Sequence, residues 1–395
     1  MEFQFKVFDP SISNTADKIA THFGYRPYMV ERYISMFGID ETREYLLANE
    51  ELSPFTIRVN TLKTEPNSLI ASLKSKGYTF SQNNIIPNAY SIDLNEEMMS
   101  LIPDESHNSN EHVSSPQGYE RDTKTLKQLD WGRPSYLDDD YEGNLEKKQR
   151  KKSFNHLRGK HTATLGSTHE YLMGEYYIQD LASMFPAFYL NPQKTDFVID
   201  MCAAPGGKTT YLAQLMSNQG NIFALEKDKK RIKPLIYNIR RCGVLNTTVL
   251  NIDATSTHKK SFSPDKILLD APCTGEGLIR DDPTRKTSKS ITDITGMMRK
   301  QFSLLQSAIK SIKPGGVIMY STCSIAPEEN EFVIQKALNS FTDMEILSLN
   351  DEWGLPGYIN VFNLDLSEEL LKARRLFPHI HNTIGFFYCL LRKRK

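Results

Sequence analysis

The stretch VIDMCAAPGGKTTYLAQL, residues 198–215, combines an apolar run, a glycine turn and a helical pattern. A phosphate loop reads G-x-x-x-x-G-K-[ST], and Gly207, Lys208 and Thr209 match its second half. The first glycine of that motif would be residue 202, which is Cys202. The stretch therefore predicts a strand, a ligand-binding turn and a helix, but it disfavours a nucleoside triphosphate as the ligand.

The chain around this stretch alternates short apolar runs with helical patterns. The runs are FVID, NIFALE, TTVLNID, KILLD and GVIMYST, and helical stretches such as KKRIKPLIYNIRRCG separate them. Several runs are apolar without alternation, which is typical of strands that are covered on both faces. The pattern predicts an α/β fold with a doubly wound, mostly parallel sheet over residues 162–395.

Residues 1–102 mix helix and strand signals, which predicts a small α+β unit. PYMVERYISMFG begins with Pro27 and stops at Gly38, as a short helix does, and Asp40 is positioned to cap the next one. FTIRVNT alternates with period two and predicts a half-buried strand.

A polar segment, residues 103–161, separates this unit from the sheet. It has few aliphatic side chains, an acidic cluster at 138–140 and a basic block at 147–152. Such a segment buries too little apolar surface to offset its ordering entropy, so we expect a disordered insertion. The basic block predicts either an RNA contact or import signal, or simply a solvated charge run.

Composition excludes several classes of protein. Lys plus Arg and Asp plus Glu number 48 each, so a nucleic-acid partner would need local basic patches. Five cysteines without paired or zinc-finger spacing indicate reduced thiols inside a cell, with no metal site. No signal peptide and no apolar run of about 18 residues is present, which predicts no membrane span.

Polar residues at successive strand ends indicate the kind of ligand. In such sheets, ligands bind beyond the carboxyl ends of the strands. Glu226 ends the second run, about twenty residues after the glycine turn, where a carboxylate can accept hydrogen bonds from both hydroxyls of a ribose. Asp253 ends the third run and either reaches an adenine amino group or caps the strand. This order predicts a nucleoside cofactor.

Two cysteines follow neighbouring strands. Cys273 lies just after KILLD and Cys323 just after GVIMYST, so both thiols are expected at the cofactor edge. If the cofactor is S-adenosylmethionine and the substrate is a cytosine, a thiolate that adds to carbon 6 of the ring would make carbon 5 nucleophilic enough to accept the methyl group of the cofactor. Asp270 is placed to stabilise the protonated ring near N3, and Lys208 to orient Asp270 or lower a thiol pKa.

CAAPGGKTT, DAPCTGEG and YSTCSIAPEENEFVI together resemble the Sun/nucleolar-protein family of RNA (cytosine-5) methyltransferases. YYIQDLASMFPA and RRLFPHIHNTIGFF are also similar to segments of that family. The resemblance covers about 170–395 and, more weakly, 15–100. It implies a Rossmann-like class I methyltransferase domain preceded by a small RNA-binding α+β unit.

The resemblance also implies residue roles. Cys323 would be the nucleophile that attacks carbon 6, and Cys273 would assist breakdown of the covalent adduct. The residues implied to contact S-adenosylmethionine are Cys202, Ala203, Ala204, Pro205, Gly206, Gly207, Lys208, Glu226, Arg231, Asp253 and Asp270.

The expected partner is RNA, with tRNA favoured over rRNA because no long nucleolar-type acidic or basic extension is present. The alternatives are an rRNA enzyme and an RNA-binding protein of the same fold without activity. The target cytosine is expected to be unpaired or flipped out of its stack. We expect a monomer in the cytoplasm, with the nucleus as the alternative location.

The remaining candidates have weaker signals. His379 and His381 are candidate RNA or phosphate contacts, although structural or solvent roles are favoured for them. Arg374, Arg375 and the terminal RKRK are candidate phosphate contacts, with exposed charge as the equal alternative. Cys202, in the glycine turn, and two further cysteines are expected to pack as small apolar residues: Cys242 at a helix end and Cys389 in a strand.

Overall fold

A computed structural model describes residues 6–51, 53–93, 165–349 and 353–395. The described residues up to Asp93 and from Thr168 onwards belong to one compact unit. The predicted insertion at 103–161 and the predicted boundary at 102 lie outside the described residues, so both stay predictions.

Three helices open the chain: α1 Asn14–Phe23, α2 Pro27–Phe37 and α3 Ile39–Ala48. The Ser13 side chain accepts from the amide of Ala16 and so caps α1, while proline begins α2 as predicted. Asp40 does not cap α3. The cap position is held by Gly38, and Asp40 lies exposed in the first turn, where its charge favours the helix dipole.

A four-stranded antiparallel sheet follows, in the order β2-β3-β1-β4. Its elements are β1 Thr56–Val59, α4 Pro66–Ser75, β2 Thr79–Gln82, β3 Ala89–Asp93, α5 His169–Leu172 and β4 Tyr176–Ile178. The prediction of a half-buried β1 is wrong, because all four of its residues are buried. The polar side chains of this strand are buried because each has a partner: Thr56 Oγ1 donates to the carbonyl of Gln179, just after β4, and Arg58 Nη1 donates to Gln214 in the helix after the glycine turn.

The larger sheet has nine strands, in the order β11-β14-β15-β9-β8-β5-β6-β7, with β10 paired to β15. They are β5 Phe197–Asp200, β6 Asn221–Leu225, β7 Thr247–Leu250, β8 Lys266–Asp270, β9 Val317–Thr322, β10 Met344–Ile346, β11 Leu355–Pro356, β14 Arg374–Leu376 and β15 Phe386–Lys393. β12 Asn360–Val361 and β13 Leu364–Asp365 pair separately.

Five strands of this sheet, β7-β6-β5-β8-β9, are parallel and correspond to the five predicted runs. The strands from β10 onwards pair antiparallel, starting with β15 on β9. The doubly wound α/β prediction is therefore confirmed around the glycine turn. It omitted the antiparallel extension, which β15 begins.

Helices cover both faces of this sheet: α6 Phe185–Leu190, α7 Gly207–Leu215, α8 Lys229–Arg241, α10 Ile291–Ser311 and α11 Glu331–Ser340. Two four-residue helices, α9 Arg285–Ser288 and α12 Pro378–His381, contact the N-terminal helices instead. Alternate residues of one strand enter opposite cores: Ile267 and Leu269 pack in one hydrophobic cluster, and Leu268 in the other. Burial on both faces explains why the strands read as continuous apolar runs.

The N-terminal helices are bonded to the loop after β9. Arg32 donates from Nη1 and Nη2 to the Glu328 carboxylate at 2.8 and 2.6 Å, and the amide of Phe8 donates to the same group at 3.0 Å. Both charged side chains are almost fully buried. The α2 helix is thereby fixed to the edge of the sheet that carries Cys323.

Candidate active site

Two thiols meet at the carboxyl edge of the larger sheet. Because β8 and β9 are adjacent and parallel, the loops that follow them lie side by side, and Cys273 Sγ is 3.0 Å from Cys323 Sγ. The amide of Gly277 donates to the Cys323 carbonyl at 3.0 Å. A Cβ atom at Gly277 would lie 2.8 Å from that carbonyl oxygen, so glycine permits this close approach of the two loops.

The two thiols are not equivalent. The hydrogen bond to Cys323, together with burial, raises the pKa of Cys273 well above its usual value. Cys273 therefore keeps its proton at neutral pH and can donate it to the sulfur of Cys323. Both cysteines are half-buried, and the arrangement places Cys273 as a hydrogen-bond donor beside the sulfur of Cys323.

Asp270, the last residue of β8, is fixed on both oxygens. Lys208 Nζ donates to Oδ2 at 2.7 Å, and Ser321 Oγ donates to Oδ1 at 2.7 Å. The lysine begins at the glycine turn and the serine lies on β9, so three neighbouring elements orient one carboxylate. Ser321 was not identified from the sequence, where it is one of three consecutive hydroxyl residues at the end of the strand.

Asp200 supports the glycine turn from beneath. Thr209 Oγ1 donates to its Oδ2 at 2.7 Å, and the amide of Cys202 donates to its Oδ1 at 3.4 Å. Burial raises the pKa of Asp200 to about 6. Gly206 has φ of +108°, a backbone conformation that L side chains rarely adopt, and it caps the start of α7.

The small sheet unit contributes a buried arginine to the same turn. Arg58 Nη2 donates to the carbonyl of Gly207 at 3.2 Å and to Thr210 Oγ1 at 2.9 Å. Its guanidinium lies 4.5 Å from the centre of the Tyr211 ring. This contact was not predictable from the sequence, because an arginine in an alternating strand is normally solvent-facing.

The other cofactor candidates line the same edge. Glu226 follows β6 and is buried, and its Oε1 accepts from the amide of Asp228 at 2.8 Å. Arg231 donates to the carbonyl of Ala204 at 2.7 Å and lies 3.5 Å from Glu226. Asp253, after β7, accepts from the amide of Thr255 and pairs with a lysine, so it caps the helical turn that follows and not the strand itself.

Cys202 is half-buried in this turn, and burial raises the pKa of its thiol well above the usual value. Cys242 and Cys389 are fully buried, at the end of α8 and within β15, which confirms that both pack in the core.

The candidate RNA contacts near the C-terminus are largely structural. Arg375 is buried and forms a two-pronged ion pair with Glu331, so its assignment as a phosphate contact or an exposed charge is wrong. Arg374 Nη1 donates to the carbonyls of Leu371 and Ala373.

Both candidate histidines have structural contacts. His379 packs against Tyr45, and its Nε2 is 3.3 Å from Glu41, while His381 Nδ1 accepts from the amide of Phe377 at 3.0 Å. Burial lowers the pKa of both histidines.

A buried acid beside the cysteine loops predicts a pH-dependent stability. Burial raises the pKa of Glu276 to about 7, and it faces the hydroxyl of Tyr33 and the charges of Arg32, Glu328 and Glu329. Between pH 4.5 and 7 the folded state holds a proton that the unfolded chain has released, so stability falls as pH rises through this window.

We therefore expect Glu276→Gln to match the wild type near pH 4.5 but to be more stable by about 3 kcal/mol at pH 8. Urea unfolding at a series of pH values measures this difference. Glu368→Gln, at an exposed position, should leave the pH dependence unchanged. If the free energy of unfolding of Glu276→Gln and of the wild type changed with pH in the same way, the raised pKa of Glu276 would be contradicted.

Within the described ranges, no helix is long and apolar enough to cross a membrane. The same residues contain no group of three or more His, Cys, Asp or Glu side chains arranged to hold a metal ion.

Family models match most of the described chain. The model of the family described as 16S rRNA methyltransferase RsmB/F matches residues 187–392. The model of the ferredoxin-like domain of RsmF/B-like methyltransferases matches residues 27–98, the region of the small antiparallel sheet.

Individual relatives agree with this match. The chain is 32% identical over 387 residues to the 25S rRNA (cytosine-C(5))-methyltransferase nop2 of Schizosaccharomyces pombe, covering 97% of this chain and 53% of the relative. It is 39% identical over 222 residues to a tRNA (cytosine(72)-C(5))-methyltransferase of Pyrococcus horikoshii, covering 56% of this chain and 53% of the relative. The chain thus spans about half the length of these curated relatives.

The crystal structure of NSun6 from Pyrococcus horikoshii with SFG superimposes with a TM-score of 0.69 at 27% identity, covering 92% of this chain and 97% of that one. The likeness therefore extends over the antiparallel strands and the N-terminal region as well as the parallel sheet. Taken with the two family models, it shows that the chain belongs to the RsmB/F family of methyltransferases, the Sun/nucleolar-protein group that its motifs predict.

Proposed function

We propose that this protein transfers a methyl group from S-adenosylmethionine to carbon 5 of cytosine in RNA, through a covalent adduct between Cys323 and carbon 6. The observation that carries the proposal is the pair of thiols 3.0 Å apart beside Asp270. Family membership supports the reaction class, and the two curated relatives are both cytosine-C5 methyltransferases acting on RNA.

The residues at the sheet edge fit the cofactor. The Cys202–Lys208 turn brings backbone groups and the start of α7 to the edge, and Glu226 presents a buried carboxylate one strand away, suited to a ribose diol. When bound, S-adenosylmethionine supplies an electrophilic methyl group. Arg231 would keep this cradle in shape, because it joins the turn to Glu226. The relative crystallised with SFG, an analogue of the cofactor, supports the same assignment.

The chain's own residues would divide the chemistry as follows. Cys323 forms the bond to carbon 6, and Asp270, oriented by Lys208 and Ser321, stabilises the protonated N3 of the adduct. After a base removes the carbon 5 proton, the bond from sulfur to carbon 6 breaks and its electrons return to sulfur. Cys273, which holds its proton, can donate a hydrogen bond to the departing sulfur of Cys323.

We expect Asp270→Asn to lower the single-turnover rate of methyl transfer by about 100-fold, because an amide cannot stabilise the protonated ring. Transfer of tritium from methyl-labelled S-adenosylmethionine to RNA measures this rate. Asp265→Asn is a matched control, since Asp265 immediately precedes β8 at its other end and also pairs with a lysine. Equal rates of methyl transfer in the two variants would mean that Asp270 has no specific role in the reaction.

We propose rRNA as the substrate class, which departs from the tRNA preference inferred from the sequence. The rRNA relative aligns over 97% of this chain and the tRNA relative over 56%, so the longer alignment favours rRNA. The monomeric state and the cytoplasmic location stay predictions from the sequence.

Bisulfite sequencing of rRNA and tRNA from cells that lack the gene tests the substrate. A cytosine in rRNA that loses its methyl mark, and regains it with the wild-type gene but not with Cys323→Ser, is the expected result. If only tRNA lost a methyl mark, the substrate would be tRNA and not rRNA. An unchanged set of marks would favour an RNA-binding protein without activity.

A further inference from the structure

Four consecutive residues after β9, Glu328, Glu329, Asn330 and Glu331, are fully buried. Three of them are carboxylic acids, which proteins bury only when each is paired or hydrogen-bonded. Each acid therefore requires an identified partner, and the partners differ.

Two of the three acids are paired with arginine. Glu328 binds Arg32 of the N-terminal helices, and Glu331 binds Arg375 of β14. These ion pairs connect the segment to α2 and to β14, and they account for two of the buried charges.

Glu329 is bonded differently. Among the residues that the structure describes, no lysine or arginine pairs with it. Its Oε1 accepts from the amide of Thr274 at 2.8 Å, and its Oε2 accepts from Thr274 Oγ1 at 2.5 Å and from Ser324 Oγ. Thr274 directly follows Cys273, and Ser324 directly follows Cys323. One carboxylate thus holds the residue after each cysteine.

A glutamine completes the network. Gln301 of α10 donates from Nε2 to Glu329 Oε1 at 2.9 Å and to the carbonyl of Pro272, which precedes Cys273, at 3.0 Å. The two acceptors fix the orientation of the amide, although Gln301 Oε1 then has no donor among the described residues. Leaving a buried amide oxygen unpaired costs free energy, so the two hydrogen bonds that the Gln301 amide donates must offset this cost.

Asn330 holds the loop of Cys323 from the other side. Its Oδ1 accepts from Thr322 Oγ1 at 2.6 Å, and its Nδ2 donates to the carbonyl of Ser324 at 2.8 Å. Both neighbours of Cys323 are therefore fixed, while the sulfur itself stays half-buried at the sheet edge.

We propose that Glu329 is a positioning residue, which holds the Cys273 and Cys323 loops together so that both sulfurs act on one pyrimidine. The inference rests on the proposed function. The covalent mechanism needs the sulfur that departs from carbon 6 and the thiol that assists it to stay in hydrogen-bond range. Loops at a sheet edge do not guarantee that range, whereas one carboxylate shared between them does.

Phenylarsine oxide tests the position of the thiols without RNA, because two adjacent thiols bind its arsenic together with release of one water. We expect the wild type to bind one arsenical at the pair, and Glu329→Ala to bind it about 10-fold more weakly, since loosened loops are less preorganised. The control measures the rate at which iodoacetamide alkylates Cys323 in the Cys273→Ala variant. Adding Glu329→Ala should change this rate less than about threefold, because the protein stays folded and the remaining thiol stays accessible.

Methyl transfer gives the second readout. In Glu329→Ala, kcat should fall by about 10-fold or more while KM for S-adenosylmethionine stays within about threefold, since the cofactor turn is untouched. Cys273→Ala should abolish arsenical capture, and the exposed Glu368→Ala should alter neither readout. If Glu329→Ala does not fold, Glu329→Asp replaces it, because a side chain one methylene shorter cannot reach both loops.

Arsenical capture at wild-type affinity in the folded Glu329 variant would overturn the proposal. Loss of capture together with rapid alkylation of all five cysteines would also overturn it, since that result means general unfolding. A wild-type chain that captures the arsenical but methylates no RNA contradicts only the proposed function.

Discussion

Replacing Cys323 with serine is expected to abolish methyl transfer, with a loss of about 1,000-fold or more, because a hydroxyl is not ionised at neutral pH and cannot add to carbon 6. Replacing Cys273 with alanine is expected to have the opposite effect on the intermediate. Without the thiol 3.0 Å from the departing sulfur, the protein–RNA adduct should accumulate. Denaturing gel electrophoresis of labelled RNA separates the adduct from free RNA.

The double variant Cys273→Ala with Cys323→Ser should form no adduct, which shows that the trapped bond belongs to Cys323. Cys242→Ala is a suitable thiol control, because this buried cysteine ends α8, at the opposite edge of the sheet. Adduct accumulation in Cys323→Ser instead of Cys273→Ala would mean that the two roles are exchanged.

Glu331→Gln is expected to lower the free energy of unfolding by about 3–5 kcal/mol, because it leaves the guanidinium of Arg375 buried without a countercharge. Both side chains are at most 1% exposed, so water cannot replace the lost carboxylate. The amide retains an acceptor for the backbone amide of Tyr358, so the loss reports mainly on the charge pair. Urea unfolding followed by circular dichroism measures the change.

Adding Arg375→Met to Glu331→Gln should recover part of this loss, since replacing both members of a buried pair leaves no isolated charge. Glu369→Gln, which breaks a solvent-exposed pair with Lys372, should have little effect. A double variant less stable than Glu331→Gln alone would show that the other contacts of Arg375, such as its bond to the Ile325 carbonyl, outweigh the charge pair.

The parallel strands and the meeting of the two thiols were predictable from the sequence. Apolar runs separated by helices define the doubly wound sheet, and adjacent parallel strands end at one edge, which brings Cys273 and Cys323 together. The antiparallel placement of β15 was not predictable, because an apolar run alone does not specify the direction of its neighbour.

The buried acids were the largest difference between sequence and structure. A run such as Glu328–Glu331 normally indicates a solvated surface, and its burial depends on partners that local patterns cannot identify. Arg32 lies 296 residues earlier and Arg375 lies 44 residues later. Likewise, β1 is buried although its sequence alternates, because partners far along the chain, such as Gln214 of α7 for Arg58, cover it; the alternation contains no information on that contact.

The pairing of Glu328 with Phe8 and Arg32 also constrains the order of folding. These partners are separated by 320 and 296 residues, so their bonds close loops that are among the longest in the chain. Closing long loops costs entropy that only the remaining packing offsets, so such contacts form late. During synthesis, the glycine turn can therefore be complete before the segment that follows Cys323 is fastened to the N-terminal helices, so docking of those helices is expected among the last steps of maturation.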